Sequence, residues 1–206
     1  MEIYSTEEQQ VDAIKQFWKD YGSSIIVGAV VGLGGLYGWN YYSDVKIEKS
    51  EAASEAFQGI VANNSDSAAV QAAITEFGAQ HDQKGYQALL ELMSAKAAVE
   101  AGDLDKAEIA FTKIISANPG ASLASLATLR LSRVQAEQGN LGTAIATLDQ
   151  ITDEAFNAQR DEFKGDLLVR QGDMDKARSA YQAAVDNGGA LTSPALQMKL
   201  DNLNKA

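Results

Sequence analysis

The residue best equipped for catalysis is His81, in the polar run Gln80-His81-Asp82-Gln83-Lys84-Gly85. An imidazole beside an aspartate has the make-up of a general base. It is the chain's single histidine, however. No nucleophile stands near it in sequence and no second histidine completes a metal site. The chain has no cysteine, which removes thiolate nucleophiles, disulfides and zinc–sulfur sites. The carboxylate pairs Asp161/Glu162 and Asp173/Asp175 are of the kind that solvated helix faces and helix caps carry, and no calcium-loop spacing surrounds them. The glycines between 28 and 38 are followed by no Lys-Ser or Lys-Thr, so they do not make a phosphate loop. The expectation is a protein that is not an enzyme, with no cofactor or metal, whose function lies in a surface.

Charge narrows the kind of surface. The 206 residues carry a formal net charge of −11, and no basic stripe interrupts the acidic soluble part. A nucleic-acid binder needs cations to displace counterions from phosphates, so that class is excluded, and lasting attachment to anionic lipid heads is disfavoured for the same reason. Ala, Leu, Gln, Glu and Asp dominate, and proline occurs only at Pro119 and Pro194. Such a composition favours helix through small losses of side-chain entropy, so the predicted class is all-α.

The elements that must position such a surface begin with an anchor. Tyr21 to Ser43 carries no formal charge, and a bilayer core needs about 20 helical residues. Phe17, Trp18 and Tyr21 stand at one edge and Tyr37, Trp39, Tyr41 and Tyr42 at the other, as amphipathic rings do at headgroup level. A cleaved signal peptide would need a basic start and a small-residue exit, whereas this start is acidic and the exit aromatic. The glycines would weaken a helix in water but are tolerated in a membrane. Gly28-x-x-x-Gly32 and Gly34-x-x-x-Gly38 would allow close approach of another membrane helix, although glycine is common in such spans. Lys15 and Lys19 face Lys46 and Lys49 across the span, so charge leaves the orientation open. Upstream, Ser5 and Glu8 have capping-box spacing, and Val11, Ile14 and Trp18 recur at helical spacing.

Beyond the anchor, three stretches align: Gly102-Asp103-Leu104-Asp105-Lys106-Ala107, Gly139-Asn140-Leu141-Gly142-Thr143-Ala144 and Gly172-Asp173-Met174-Asp175-Lys176-Ala177. A large apolar residue follows each alanine by four positions, at Phe111, Leu148 and Tyr181. The pattern predicts helical hairpins: glycine ends helix A in a left-handed conformation, the next Asp or Asn caps helix B, and alanine lets the two helices lie close. A hairpin cannot bury its apolar face alone, so hairpins stack into a solenoid. Segments 46–62 and 67–80, separated by Asn63-Asn64-Ser65, read as a degenerate hairpin capping one end. A last helix from Pro194 to about Asn204 would cover the other end with Leu196, Leu200 and Leu203.

The spacing resembles the tetratricopeptide repeat. In the first repeat Ala95, Gly102, Ala107, Phe111 and Pro119 fall on that family's small, turn, small, large and proline positions, and Gly165, Gly172, Ala177 and Tyr181 do so in the third. The second departs more: Ser132 takes the small position and nothing matches the proline. The expected organisation is an acidic tail over 1–20, a transmembrane helix over 21–43, a linker helix and capping hairpin over 44–85, and repeats with a capping helix over 86–206. In such stacks helix A lines the concave groove. By that alignment the groove would hold Leu89, Leu92, Lys96 and Val99, then Leu126, Leu129 and Arg133, then Glu162, Asp166 and Arg170. The competing reading makes the leucines core, Leu89 and Leu126 most of all. A groove of mixed apolar and charged stretches suits an extended or helical peptide.

The opening Met1-Glu2-Ile3-Tyr4, the acidic tail ending in aromatics, the Gly-rich anchor, the repeats and the closing Pro194-Ala195-Leu196-Gln197-Met198-Lys199-Leu200-Asp201-Asn202-Leu203 together resemble the YfgM family. Its members are ancillary subunits of the bacterial SecYEG translocon. The resemblance implies a single-pass inner-membrane protein with its tail in the cytoplasm and its repeats in the periplasm. It also implies a PpiD-type periplasmic chaperone as partner and a role in passing secreted chains towards periplasmic chaperones. For some members it implies control of a cytoplasmic response regulator through the tail.

Overall fold

A computed structural model of the chain describes residues 7–62 and 67–204. Every regular element among them is helical, as the composition predicts. The capping box at Ser5 and the linker Asn63-Asn64-Ser65 lie outside the described residues. In chain order the helices are α1 (Glu7–Ala62), α2 (Ser67–Gln80), α3 (Lys84–Glu100), α4 (Leu104–Ala117), α5 (Ala121–Glu137), α6 (Leu141–Leu148), α7 (Asn157–Gln171), α8 (Met174–Asp186) and α9 (Pro194–Asn204). Short 3-10 turns at Glu154–Phe156 and Gly189–Leu191 precede α7 and α9. The chain divides into two units, one up to Ala52 and one from Ala53 onward.

In the first unit α1 is a solitary helix, long and apolar enough to cross a bilayer. Val30, Leu33 and Trp39 are 66%, 69% and 68% exposed, which a water-soluble core helix would not allow. Lipid is the solvent in which such a row is stable, and a helix satisfies its own backbone there.

In the second unit the chain builds a row of small cores, not one large one. Ala53 at the end of α1 packs with Ile74 and Phe77 of α2 and Leu90 of α3. The pairs α3/α4, α5/α6 and α7/α8 form the three expected hairpins. Gly102, Gly139 and Gly172 have φ of 76°, 87° and 84°, the left-handed region that glycine enters without steric cost. Each turn closes with the same two bonds. The backbone N–H of Asp103, Asn140 and Asp173 donates to the carbonyl of Ala98, Gln135 and Leu168. The N–H of each glycine donates to Val99, Ala136 and Val169. This Schellman arrangement satisfies the last carbonyls of helix A. Asp103 and Asp173 then cap helix B by accepting from the N–H of Lys106 and Lys176, at 3.1 and 3.2 Å. Asn140 makes no such side-chain bond.

The alanines and large residues behave as the repeat requires. Ala107, Ala144 and Ala177 are buried, with Phe111, Leu148 and Tyr181 one turn later. The second hairpin is cut short: α6 has 8 residues against 14 in α4 and 13 in α8. Ile151 and Phe156 from the following segment fill the cluster of Leu129, Leu148 and Leu167 where a longer helix B would have run. Asp153 fixes that segment by accepting from the Ala155 N–H and from Ser122 Oγ, the latter at 2.8 Å. At the far end Leu196 and Leu200 of α9 close over Tyr181 and Ala184.

Candidate protein-binding surface

Helix A of each repeat presents two kinds of row, one turned into the stack and one left open, and the side chains sort accordingly. Leu92 and Leu129, expected in the groove, are core residues, 8% and 3% exposed. Leu92 packs with Phe111 and Leu131, and Leu129 with Leu148 and Leu167. The reason is rotational: the row holding Leu92 and Ala95 must close against helix B and the next hairpin. Leu89 and Leu126, three residues earlier at the edge of that face, are the less covered pair, exposed and half-buried respectively.

In the third repeat Glu162 and Asp166, expected in the groove, hold the capping helix. Lys199 Nζ of α9 donates to Glu162 Oε1 at 2.9 Å and to Asp166 Oδ2 at 2.8 Å. Ser193 Oγ donates to Glu162 Oε1, and Tyr181 Oη of α8 donates to Asp166 Oδ1 at 2.8 Å. Burial lowers the Lys199 pKa, but the hydrogen bonds and charges of Asp166 and Glu162 outweigh it, and the ammonium is held above its ordinary range. Burial first, and then the hydrogen bond to Asp166, pushes the Tyr181 phenol well above its ordinary value. Three helices are thus locked at one polar knot that no sequence pattern marked.

What stays open on the helix A side is Lys96 and Val99 of α3, Arg130 and Arg133 of α5, and Arg170 of α7. Lys96 pairs with Glu100 one turn on, at 3.6 Å. The Arg133 guanidinium sits over the Phe163 ring, 5.4 Å from its centroid. Arg170 donates to the Ala136 carbonyl at 3.0 Å and pairs with Glu137 at 3.4 Å. Arg130 escaped the sequence reading, although its place three residues before Arg133 put it on the same open row.

The remaining candidates are engaged in local contacts. The His81 ring packs against Phe77, centroids 4.7 Å apart. Asp161 is gripped by the Arg160 guanidinium through both oxygens and by Asn187 Nδ2. Asp175 pairs with Arg178. An open hollow of about 810 Å³ between the first two turns is lined by Asp103, Asp105 and Glu108. Its acids are already engaged: Asp103 caps α4 and pairs with Lys106, while Gln138 Nε2 donates to Asp105 and Gln135 Nε2 to Glu108 between hairpins. On α1, nothing lies within 4 Å of a side chain added at Gly28, Gly32, Gly34 or Gly38, so the backbone is bare at those positions.

The family model described as a tetratricopeptide repeat-like domain matches residues 15–205. A protein of Haemophilus influenzae is 33% identical over 96% of this chain and 97% of its own length. One of Escherichia coli is 33% identical over 99% and 100%, and one of Neisseria gonorrhoeae 25% identical over 98% and 100%. Each of the three carries the name ancillary SecYEG translocon subunit.

Proposed function

Because the chain belongs to the YfgM family, whose relatives are named ancillary SecYEG translocon subunits, we propose that it is a non-enzymatic ancillary subunit of the SecYEG translocon. It binds proteins through its repeat domain and helps transfer secreted chains to periplasmic chaperones, a PpiD-type chaperone among them. In this reading α1 spans the inner membrane with its N-terminus in the cytoplasm, and the repeats stand in the periplasm. The observation that carries the reading is similarity over nearly the whole chain, anchor and repeats together, at 33% identity. The open helix A rows support it, because they offer apolar and charged side chains side by side, as a peptide surface needs.

Photocrosslinking from Val99, Arg133 and Gly32 in native membranes tests it. The expected result is capture of translocon components from at least one of these positions. Failure at all three would remove the proposal. Single cysteines at Gln10 and Glu100, labelled by a membrane-impermeant maleimide in intact spheroplasts, test the orientation: only Glu100→Cys should react.

A second reading, control of a cytoplasmic response regulator through residues 1–20, is favoured by one feature. Val11, Ile14, Phe17 and Trp18 lie 48–60% exposed on a helix that also carries Asp12, Lys15, Lys19 and Asp20. Deletion of residues 1–20 with the span intact separates the two. The regulatory reading requires loss of response control with capture of translocon components unchanged.

A further inference from the structure

We infer that the open edge of the α5–α7 pair is a docking strip for an acidic peptide segment of a partner protein, gripped by Arg130 and by Arg133, which lies over the Phe163 ring. The inference rests on the protein-binding reading above and gives it a chemistry.

Helix α5 is the central helix of the stack. Between Ala124 and Gln138 its exposed positions are Arg130, Arg133 and Glu137. These fall at i, i+3 and i+7, a single row. A helix covered on its other faces thus places two arginines on its one wet row, in a protein whose acids outnumber its bases by 28 to 17. In so acidic a chain, a nearby carboxylate would be the ordinary partner for each arginine. Arg160, Arg170 and Arg178 each have one. Among the described residues no carboxylate is paired with Arg130 or Arg133.

The neighbouring acids are diverted. Glu137, next on the row, is held by Arg170. Glu162 and Asp166, on the adjacent helix, are turned away to Lys199. Asp161 is taken by Arg160. The two helices run alongside in the same sense, since Arg133 meets Phe163 and the carbonyl of Ala136 meets Arg170. The result is a local cationic row beside the half-buried ring of Phe163.

The geometry points to short carboxylate-bearing peptide rather than to another anion. A guanidinium stacked on a ring keeps its N–H edge for a bidentate carboxylate. Arginines three apart on a helix are spaced by about 5–6 Å, close to the roughly 7 Å between alternate residues of an extended chain. Nucleic acid or an anionic membrane would bring a wide field of negative charge against the acids around the strip and be repelled. A segment with two acids and one large apolar residue meets only the strip.

Full-length protein in nanodiscs of zwitterionic lipid, titrated against a fluorescein-labelled decapeptide holding an Asp-Leu-Asp step and a phenylalanine, tests the inference by anisotropy. The same decapeptide with lysine for aspartate is the comparison. The acidic peptide is expected to bind at least about tenfold tighter and to weaken with salt. In the double variant Arg130→Gln/Arg133→Gln its affinity should fall about five- to tenfold. It should be only partly retained in Arg130→Lys/Arg133→Lys, which keeps the charge but not the bidentate edge or the stacking, and fully retained in the surface control Lys84→Gln/Lys106→Gln. Equal binding of the two peptides, or unchanged affinity in Arg130→Gln/Arg133→Gln, overturns the inference. A photocrosslinker at exposed Gln159, beside the strip, separates the two levels. Capture of translocon components without acidic-peptide preference leaves the subunit reading and removes the strip. Acidic-peptide binding without any such capture does the reverse.

Discussion

The Tyr181 ring of α8 occupies the space that any side chain at Gly165 of α7 would need. This contact sets the distance between helices A and B in the third repeat, where Tyr181 is buried and its hydroxyl reaches Asp166. Gly165→Ala must therefore displace either a buried ring or a helix. Overpacking of this kind costs about 1–3 kcal/mol. The same substitution at Gly142 of α6 meets open space at a helical backbone, and there alanine should raise stability by up to about 1 kcal/mol. Thermal unfolding followed by circular dichroism should move the two variants in opposite directions, and a common direction would refute this account of the packing.

The polar knot at Lys199 predicts sensitivity to alkali. Lys199 and Tyr181 both have folded pKa values above their unfolded ones. Each therefore binds its proton more tightly when folded, and contributes stability that is present below the unfolded pKa, about 10 for either group. That contribution is lost as pH rises through the folded values. Helix content measured from pH 8 to pH 12 should hold to about pH 10 and then fall. Lys199→Met/Tyr181→Phe, which carries neither proton, should show a flatter decline, and an unaltered profile would contradict the assignment.

How much of this the sequence announced depends on how local each signal is. The turns were legible, because a positive φ after helix A and a close helix crossing admit few residues, and Gly-Asp-Leu-Asp-Lys-Ala at 102 and again in near copy at 172 satisfies both within six positions. The rotation of helix A was not. Leu89 and Leu92, or Leu126 and Leu129, are chemically the same, and only packing against the neighbouring hairpin decides which is core. Nor was the pairing of Glu162 with Lys199 visible, since its partners lie 37 residues apart on helices of separate patterns. The short α6 was hinted at only by the missing proline of the second repeat. Arg130 is legible only from its spacing to Arg133, since it stands at no offset that the three repeats share.

The turn glycines give a third prediction, independent of packing. At Gly172 φ is 84° and nothing crowds the position, so the whole penalty of Gly172→Ala is backbone strain, roughly 1–2 kcal/mol. Asparagine enters the left-handed region more readily than alanine, and Gly172→Asn should recover part of the loss. Chemical denaturation should rank wild type above Gly172→Asn above Gly172→Ala. Equal midpoints for the alanine and asparagine variants would mean that the turn relaxes out of the left-handed region.

The capping helix supplies the last prediction. Leu196 of α9 is fully buried against Tyr181, Ala184 and Leu200, and its Cδ2 approaches the position where Gly189 lacks a side chain. Leu196→Ala removes that filling and leaves a cavity, at a cost of about 2–5 kcal/mol if the end of the stack stays closed. A solenoid couples mainly neighbour to neighbour, so the damage should concentrate in α8 and α9 and fade towards α3. Hydrogen exchange read by mass spectrometry on the full chain would check this directly. Protection should drop in segments 174–204 and stay near wild type in 84–117. Uniform loss of protection along the repeats would instead mean that the domain unfolds as one cooperative block, with α9 holding the whole stack.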